Sequence, residues 1–155
     1  MNKDTTIGII TLPGGATAPE GFVACGVECG VRDLGRRDLG LLFSERGCAS
    51  AAVFTRNVVQ GAPLVVTRKV IEGGDVRAVV ANSGIANAAT GQRGLEDARE
   101  MQALTAEALG MGAVEVAVAS TGVIGEHLPM ERISSGIERA AADISRDGGG
   151  FAEAI

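Results

Sequence analysis

Residues 115–130 read EVAVASTGVIGEHLPM. The alternating apolar residues at the start predict a strand over residues 115–120, and the Thr-Gly-Val-Ile-Gly sequence that follows predicts a turn. The strand would end in two hydroxyl residues, Ser120 and Thr121, followed by Gly122. A tight turn explains the glycine alone. A site that directs a backbone N–H and a hydroxyl at one point explains all three residues.

Helices are predicted on both sides of this strand. Residues 94–110 carry apolar residues at helical spacing, and Gly110 is expected to end the helix. Glu96 and Asp97 are expected in its first turn, where the helix dipole favours acids. Downstream, Pro129 is expected to open a second helix. Its apolar stripe would comprise Ile133, Ile137, Ala140 or Ala141, and Ile144.

Upstream of these elements the sequence predicts four more strands, over residues 21–31, 38–45, 49–56 and 76–84. The second and third are expected to form a hairpin around residues 46–48, and the fourth to end in a polar turn. Residues 62–74 suit either a strand or a helix, and Pro63 with a Gly-Gly stop favours a short helix. This order predicts one mixed α/β domain of the layered α+β type over residues 1–155, with sheets covered by helices.

Composition narrows the classes of function. The chain has 155 residues, 46% of them hydrophobic and 21% charged, which is typical of a globular protein with one sizeable core. Its net charge of −5 leaves no basic stripe for a nucleic acid. No run reaches the ~18 apolar residues of a membrane span, and the short apolar stretch over residues 7–12 does not resemble a signal peptide. We therefore expect a cytoplasmic protein without nucleic-acid or membrane partners.

Side chains that could ligate a metal or act as nucleophiles are few and scattered. Cys25 and Cys29 are four residues apart in a predicted strand, so we expect them to share a face as small buried hydrophobic residues. With Cys48 they make an odd number without a secretory signal, which argues against a disulfide framework. The single histidine, His127, lacks partners for a metal site or a triad and is expected at the surface. We expect no bound metal, and we expect the attacking group to come from outside these residues.

Two glycine-containing segments follow predicted strands, over residues 82–94 and 120–125. The first is neither a dinucleotide fingerprint nor a phosphate loop, and Asn82 in it is a candidate substrate-binding residue. A turn with positive φ explains either segment. In the functional interpretation of the second, the Gly122 N–H and the Thr121 hydroxyl donate to one developing oxyanion. Glycine would also let a substrate carbonyl approach the backbone without a Cβ clash.

Four segments also carry a family resemblance: TAPEGFVACGVECGVR, VFTRN, VVANSGIANAATGQRGLEDAREM and VASTGVIGEHLPM. They resemble the ornithine acetyltransferase family, the glutamate N-acetyltransferases of arginine biosynthesis. The resemblance runs from about Thr17 to the last residue. The block around NSG and the STGVIG block are specific in combination.

The resemblance implies a self-processing fold of the N-terminal-nucleophile type, in which the precursor cuts itself before a threonine. This chain would be the α chain or most of it, completed by a β chain with an N-terminal threonine nucleophile in an α2β2 heterotetramer. The family's oxyanion-hole pair falls on Thr121 and Gly122. The implied reaction moves acetyl from N2-acetylornithine to that threonine and then to glutamate, with the threonine's α-amine as general base. No cofactor is implied, and a role for acetyl-CoA as a second donor is left open.

The sequence also departs from the family pattern. The self-cleavage motif Lys-Gly-Ala-Thr is absent, and GGATAP at 14–19 lacks the lysine. Ile85 and Ala89 stand where the family commonly has Asn and Cys. An amphipathic element begins at Phe151 and stops at Ile155, so we expect that the chain is truncated or that another polypeptide completes it. Two alternatives stay open: an aminopeptidase or amidase of the same self-processing superfamily, and a small-molecule binding module without catalysis.

Overall fold

One four-stranded mixed sheet organises residues 13–32 and 35–155, which are the residues that the computed structural model describes. Its strands are β1 (Phe22–Val27), β2 (Leu39–Ser44), β3 (Ala78–Ile85) and β4 (Val116–Val123). Their order in space follows the chain, and β1–β2 and β2–β3 are antiparallel whereas β3–β4 is parallel. The parallel pair needs a long crossover, which a helix supplies.

Four helices accompany the sheet: α1 (Ala62–Gly73), α2 (Gly91–Leu109), α3 (Met130–Ala142) and α4 (Gly149–Ala154). Pro63 lies in the first turn of α1, where its missing N–H leaves no hydrogen bond unmade. Gly74 and Gly110 end α1 and α2 in the left-handed conformation that glycine adopts without strain. Pro129 precedes α3, as predicted.

The main core lies between one face of the sheet and helices α2 and α3. It is built from aliphatic side chains and one methionine that are almost fully buried, among them Leu39, Leu41, Val80, Met101, Val118, Ile133 and Ile137. On the other face, α4 packs against β1 and β2. Gly26 and Gly40 face each other across that pair, and a Cβ on either would overlap the backbone of Gly150 or the ring of Phe151. The layered α/β prediction is confirmed.

The predicted hairpin of residues 38–45 and 49–56 is wrong in its second half. Strand β2 forms as expected, but it pairs with β1 on one side and β3 on the other, so neither edge is free for residues 49–56. That segment is not a strand and leaves Val53 99% exposed. Phe54 lies 4.4 Å beneath the guanidinium of Arg68. The β-branched and aromatic composition indicated a strand, but the pairing partner was already taken.

Other element bounds differ from the predictions. Helix α2 begins at Gly91, so Glu96 and Asp97 lie beyond its first turn. Strand β1 ends at Val27, so Cys29 is buried in the following segment and does not share a strand face with the half-buried Cys25. Strands β3 and β4 both extend into the polar segments that were predicted as turns and end at Ile85 and Val123. The predicted absence of a signal peptide concerns residues 7–12, which lie outside the described residues.

Candidate active site

The carboxyl ends of β3 and β4 lie side by side and carry the candidate site. The aligned pairs at this end are Asn82 with Ser120, Ser83 with Thr121, and Gly84 with Gly122. The turn predicted from Thr121 onward is wrong, because the two strands stay paired through Val123. The N–H of Ala86 then donates to the carbonyl oxygen of Val123 at 2.8 Å. Strand pairing therefore fixes the backbone of the Thr-Gly pair.

Gly122 is required where the two strands approach each other closely. It has a φ of 133°, a region that side-chain-bearing residues rarely adopt. A Cβ on Gly122 would overlap the carbonyl carbon and oxygen of Gly84 and would lie 2.7 Å from the nitrogen of Ile85. All three atoms are backbone, so they could move only with strand β3. Packing between strands thus demands glycine here independently of any substrate.

Gly122 lies in β4, which is an edge strand of the sheet. Along a strand, successive residues turn their N–H and C=O alternately toward the neighbouring strand and away from it. Val118 faces away from β3, because both its N–H and its carbonyl oxygen bond to the hydroxyl of Thr67. Val123 faces β3. Gly122 lies between these two points with a φ of 133°, outside the conformation of a regular strand.

Thr121 and Gly122 are both exposed and line one open cleft of about 740 Å³. The other polar lining residues are Ser83, Arg32 and Arg132, and Ile155 also lies in this cleft. Two adjacent residues that carry a hydroxyl and an unhindered backbone therefore line the same space. This arrangement can stabilise negative charge that develops on a carbonyl oxygen.

The segment after β1 forms one wall of the cleft and is held by Asp38. This carboxylate is fully buried and accepts hydrogen bonds from the N–H of Cys29 at 2.6 Å and of Arg32 at 2.8 Å. Burial by itself would raise the pKa of Asp38, but these N–H donors outweigh it and hold the pKa below its ordinary value. The Arg32 guanidinium in turn donates to the Ser83 hydroxyl oxygen at 3.3 Å.

Asn82 does not lie in a loop as predicted. It is a fully buried residue of β3, and its side-chain amide donates to the carbonyl oxygen of Ile85 at 2.9 Å. Its side-chain oxygen and the hydroxyl of the aligned Ser120 are buried without a hydrogen-bond partner among the described residues. Asn82 is not among the residues that line the cleft. It supports the strand end, and contact with a substrate stays a prediction.

Sequence reasoning missed the arginines of this region. Arg32 and Arg132 line the cleft although they are far apart in the chain, and nothing local marks either of them. One signal was present: Arg132 and Arg139 are seven residues apart, so a helix places them on one face. The long-range approach of α3 to the segment after β1 was not encoded in any motif.

The remaining candidate groups do not form a second centre. The described ranges contain no cluster of three or more His, Cys, Asp or Glu side chains that could hold a metal. Burial, and then the adjacent Asp38 carboxylate, raises the pKa of the Cys29 thiol to about 12, so this cysteine stays protonated. His127 is exposed just before α3, as predicted. Within the same ranges, no helix combines the length and apolar character needed to cross a membrane.

Comparison with known proteins gives a consistent result over most of the chain. The sequence model described as the ArgJ family matches residues 23–155. The arginine biosynthesis bifunctional protein ArgJ of Symbiobacterium thermophilum is 53% identical over 147 residues, which are 93% of this chain and 37% of that protein. The protein of the same name from Bacillus subtilis is 46% identical over 95% of this chain and 36% of its own length. The chain thus spans somewhat over a third of these relatives.

Solved structures agree with the sequence comparison. The ornithine acetyltransferase of Mycobacterium tuberculosis, solved in complex with ornithine, is 42% identical with a TM-score of 0.89, over 92% of this chain and 78% of that chain. The bifunctional protein ArgJ of Bacillus halodurans is 47% identical with a TM-score of 0.83, over 90% of this chain and 74% of that chain.

The sheet, its covering helices and the site at the end of the parallel strands define the class of protein. It is a layered α/β chain with the N-terminal nucleophile hydrolase-like fold of these solved structures. The chain belongs to the ArgJ family, and it corresponds to the N-terminal part of such proteins.

Proposed function

We propose that this chain supplies the oxyanion-stabilising part of a glutamate N-acetyltransferase, which moves acetyl from N2-acetylornithine to glutamate. The family and its role in arginine biosynthesis support the reaction class. The relative solved with ornithine supports the substrate class. The observation that carries the proposal is that Thr121 and Gly122 are exposed neighbours that line one open cleft.

In the proposed first half-reaction, the hydroxyl oxygen of a threonine outside this chain attacks the acetyl carbonyl carbon of N2-acetylornithine. The carbonyl oxygen becomes an oxyanion, which accepts hydrogen bonds from the Thr121 hydroxyl and the Gly122 N–H. The C–N bond then breaks, and the departing amine of ornithine takes the proton that the threonine hydroxyl lost. The α-amine of the attacking threonine carries that proton between the two steps.

In the second half-reaction the amine of glutamate attacks the acetyl-threonine ester. The same two donors stabilise the second oxyanion. Collapse of this intermediate breaks the ester C–O bond and releases N-acetylglutamate, and the threonine oxygen takes the proton that the amine of glutamate lost, through the threonine's α-amine. Fixed donors stabilise both intermediates without reorganising, because strand pairing already holds residues 121 and 122.

We further propose that this single α/β domain is the α chain of a cytoplasmic α2β2 enzyme whose β chain carries the N-terminal threonine. The exposure of Thr121 and Gly122 supports a second polypeptide that completes the cleft. The bifunctional name of the relatives supports a second acetyl-transfer activity, and we propose acetyl-CoA as its donor.

The proposal is tested by Thr121→Val in the assembled enzyme. Removing one oxyanion donor is expected to lower kcat for acetyl transfer from N2-acetylornithine to glutamate about a hundredfold to a thousandfold. Folding should be unaffected, because Thr121 is exposed and the replacement suits a strand. Steady-state kinetics with both substrates and thermal denaturation measure the two effects.

Thr121→Ser is the matched control, because it keeps the hydroxyl and is expected to retain most of the activity. Unchanged turnover in Thr121→Val would remove the assigned role of this residue. Amide hydrolysis by the wild-type enzyme, without transfer to glutamate, would instead support an amidase of the same superfamily.

A further inference from the structure

A second cleft of about 990 Å³ adjoins the one at Thr121, and we call it the arginine groove. Its charged lining residues are Arg32, Arg37, Arg132, Arg139 and Glu28. Gly30, Arg32 and Arg132 line both clefts, so the two are continuous. Four arginines against one glutamate give this groove a positive charge in a chain whose net charge is −5.

Three of these arginines are held by uncharged oxygen atoms. The Arg132 guanidinium donates to the carbonyl oxygen of Gly30 at 2.6 Å, and that of Arg139 donates to the carbonyl oxygen of Glu28 at 2.9 Å. Arg32 donates to a serine hydroxyl. None of the three forms an ion pair within residues 13–32 and 35–155.

Arg37 differs from the other three. Its guanidinium forms an ion pair with Glu153 at 2.8 Å, so its charge is already matched. The groove therefore contains three guanidinium groups whose charge the described residues leave unmatched.

Hydrogen bonds within the chain hold these three guanidinium groups or their backbone in place. Each guanidinium has five N–H donors in a planar fork, of which the observed bonds use only a part. The bonds to Gly30 and Glu28 fix two of the side chains, and the buried Asp38 fixes the backbone that carries the third. Such forks match the two oxygens of a carboxylate. All three side chains are exposed, so a solute can reach them.

We propose that the arginine groove binds a small dicarboxylate. One carboxylate would satisfy one fork, whereas three unmatched guanidinium groups that line one cleft favour a ligand with two anionic groups. The identity of this ligand rests on the proposed function: it is the acceptor glutamate or its acetylated product. N2-acetylornithine has one carboxylate, and the arginines repel the ammonium group at the end of its side chain, so it should bind in the groove more weakly than glutamate.

The test compares glutamate with glutamine, which differ by one negative charge. Calorimetric titration of the assembled enzyme should show that glutamate binds at least tenfold more tightly than glutamine. Arg132→Gln and, separately, Arg139→Gln should each weaken glutamate binding about tenfold and weaken glutamine binding less, because glutamine has only one carboxylate. In the transfer assay the same variants should raise KM for glutamate more than KM for N2-acetylornithine.

Arg46→Gln is the matched control, because this arginine pairs with Glu20 outside both clefts and should leave every value unchanged. Equal glutamate binding in wild type and in both groove variants would overturn the proposal, and so would tighter binding of inorganic phosphate than of glutamate. Titration needs no turnover, so its outcome is separate from that of the proposed function. If the wild type binds glutamate through the groove but transfers no acetyl group, the proposed function is wrong and the proposed binding of a dicarboxylate in the groove is supported.

Discussion

Two independent requirements concern the adjacent residues Thr121 and Gly122: strand packing and the proposed oxyanion chemistry. Strand packing requires the glycine, because β3 occupies the space that any side chain at residue 122 would need. The proposed oxyanion chemistry requires an unhindered N–H at the same residue, which is exposed in the cleft. Because the structural demand alone explains Gly122, the exposed hydroxyl of Thr121 is the more informative half of the pair.

At this scale Gly122→Ala should be strongly destabilising. The new Cβ would overlap Gly84 and would sit at a strained φ, so we expect a loss of about 2–5 kcal/mol in the free energy of unfolding. Urea denaturation measures the loss. Gly125→Ala is the matched control: Gly125 also has a positive φ, but a Cβ there meets nothing within 4 Å. Equal losses in the two variants would show that strain in φ, and not overlap with Gly84, explains the requirement.

The residue scale is also where the sequence was most informative. The hydroxyl-glycine pair after an apolar run predicted the candidate oxyanion donors, because that chemistry needs particular residues next to each other. The carboxylate of Asp38 and the guanidinium of Arg132 could not be predicted in the same way. Their roles depend on hydrogen bonds to residues 29–32 and to Gly30, which no local pattern records.

Among the elements, β4 carries Thr121 and Gly122 of the candidate site. It lies at the edge of the sheet, and helix α1 covers part of its free side. The Thr67 hydroxyl donates to the carbonyl oxygen of Val118 at 2.7 Å and accepts from its N–H at 2.9 Å. One side chain thus replaces the hydrogen bonds that a neighbouring strand would make, and leaves the edge beyond Val118 open at Gly122.

Thr67→Val should therefore destabilise the sheet edge. It keeps the size of the side chain but leaves the N–H and carbonyl of Val118 without a partner, which we expect to cost about 1–3 kcal/mol. Urea denaturation followed by circular dichroism measures the loss. Thr67→Ser retains the hydroxyl and should lose far less. If Ser and Val are equally destabilising, the methyl group of Thr67, and not its hydroxyl, holds the edge.

Element types were predicted well where one local signal dominated. Helix α2 has a clear apolar period and a glycine stop, and helix α1 was favoured over a strand by Pro63. The predictions failed where pairing decided the outcome. Residues 49–56 have strand composition but found no free edge, and the segment around Asn82 became part of β3 because β4 extends beside it.

Across the whole molecule, the open cleft and the arginine groove form one continuous surface on a chain that spans somewhat over a third of its relatives. Thr121 and Gly122 lie exposed at one end of this surface and the unmatched arginines at the other. Among the described residues we propose donors for an oxyanion and for carboxylates, and we propose no nucleophile. We therefore propose that this chain stabilises charge and that the attacking group comes from another segment or chain.

Trapping the acetyl-enzyme tests this division most directly. The assembled enzyme is incubated with N2-acetylornithine in the absence of glutamate, quenched in acid, and examined by intact-mass and peptide mass spectrometry. We predict that one acetyl group appears on a threonine outside residues 1–155, that glutamate removes it, and that Thr121→Val slows its formation. An acetyl group on any residue of this chain that glutamate then discharges, or transfer to glutamate without any acetylated threonine, would contradict the account.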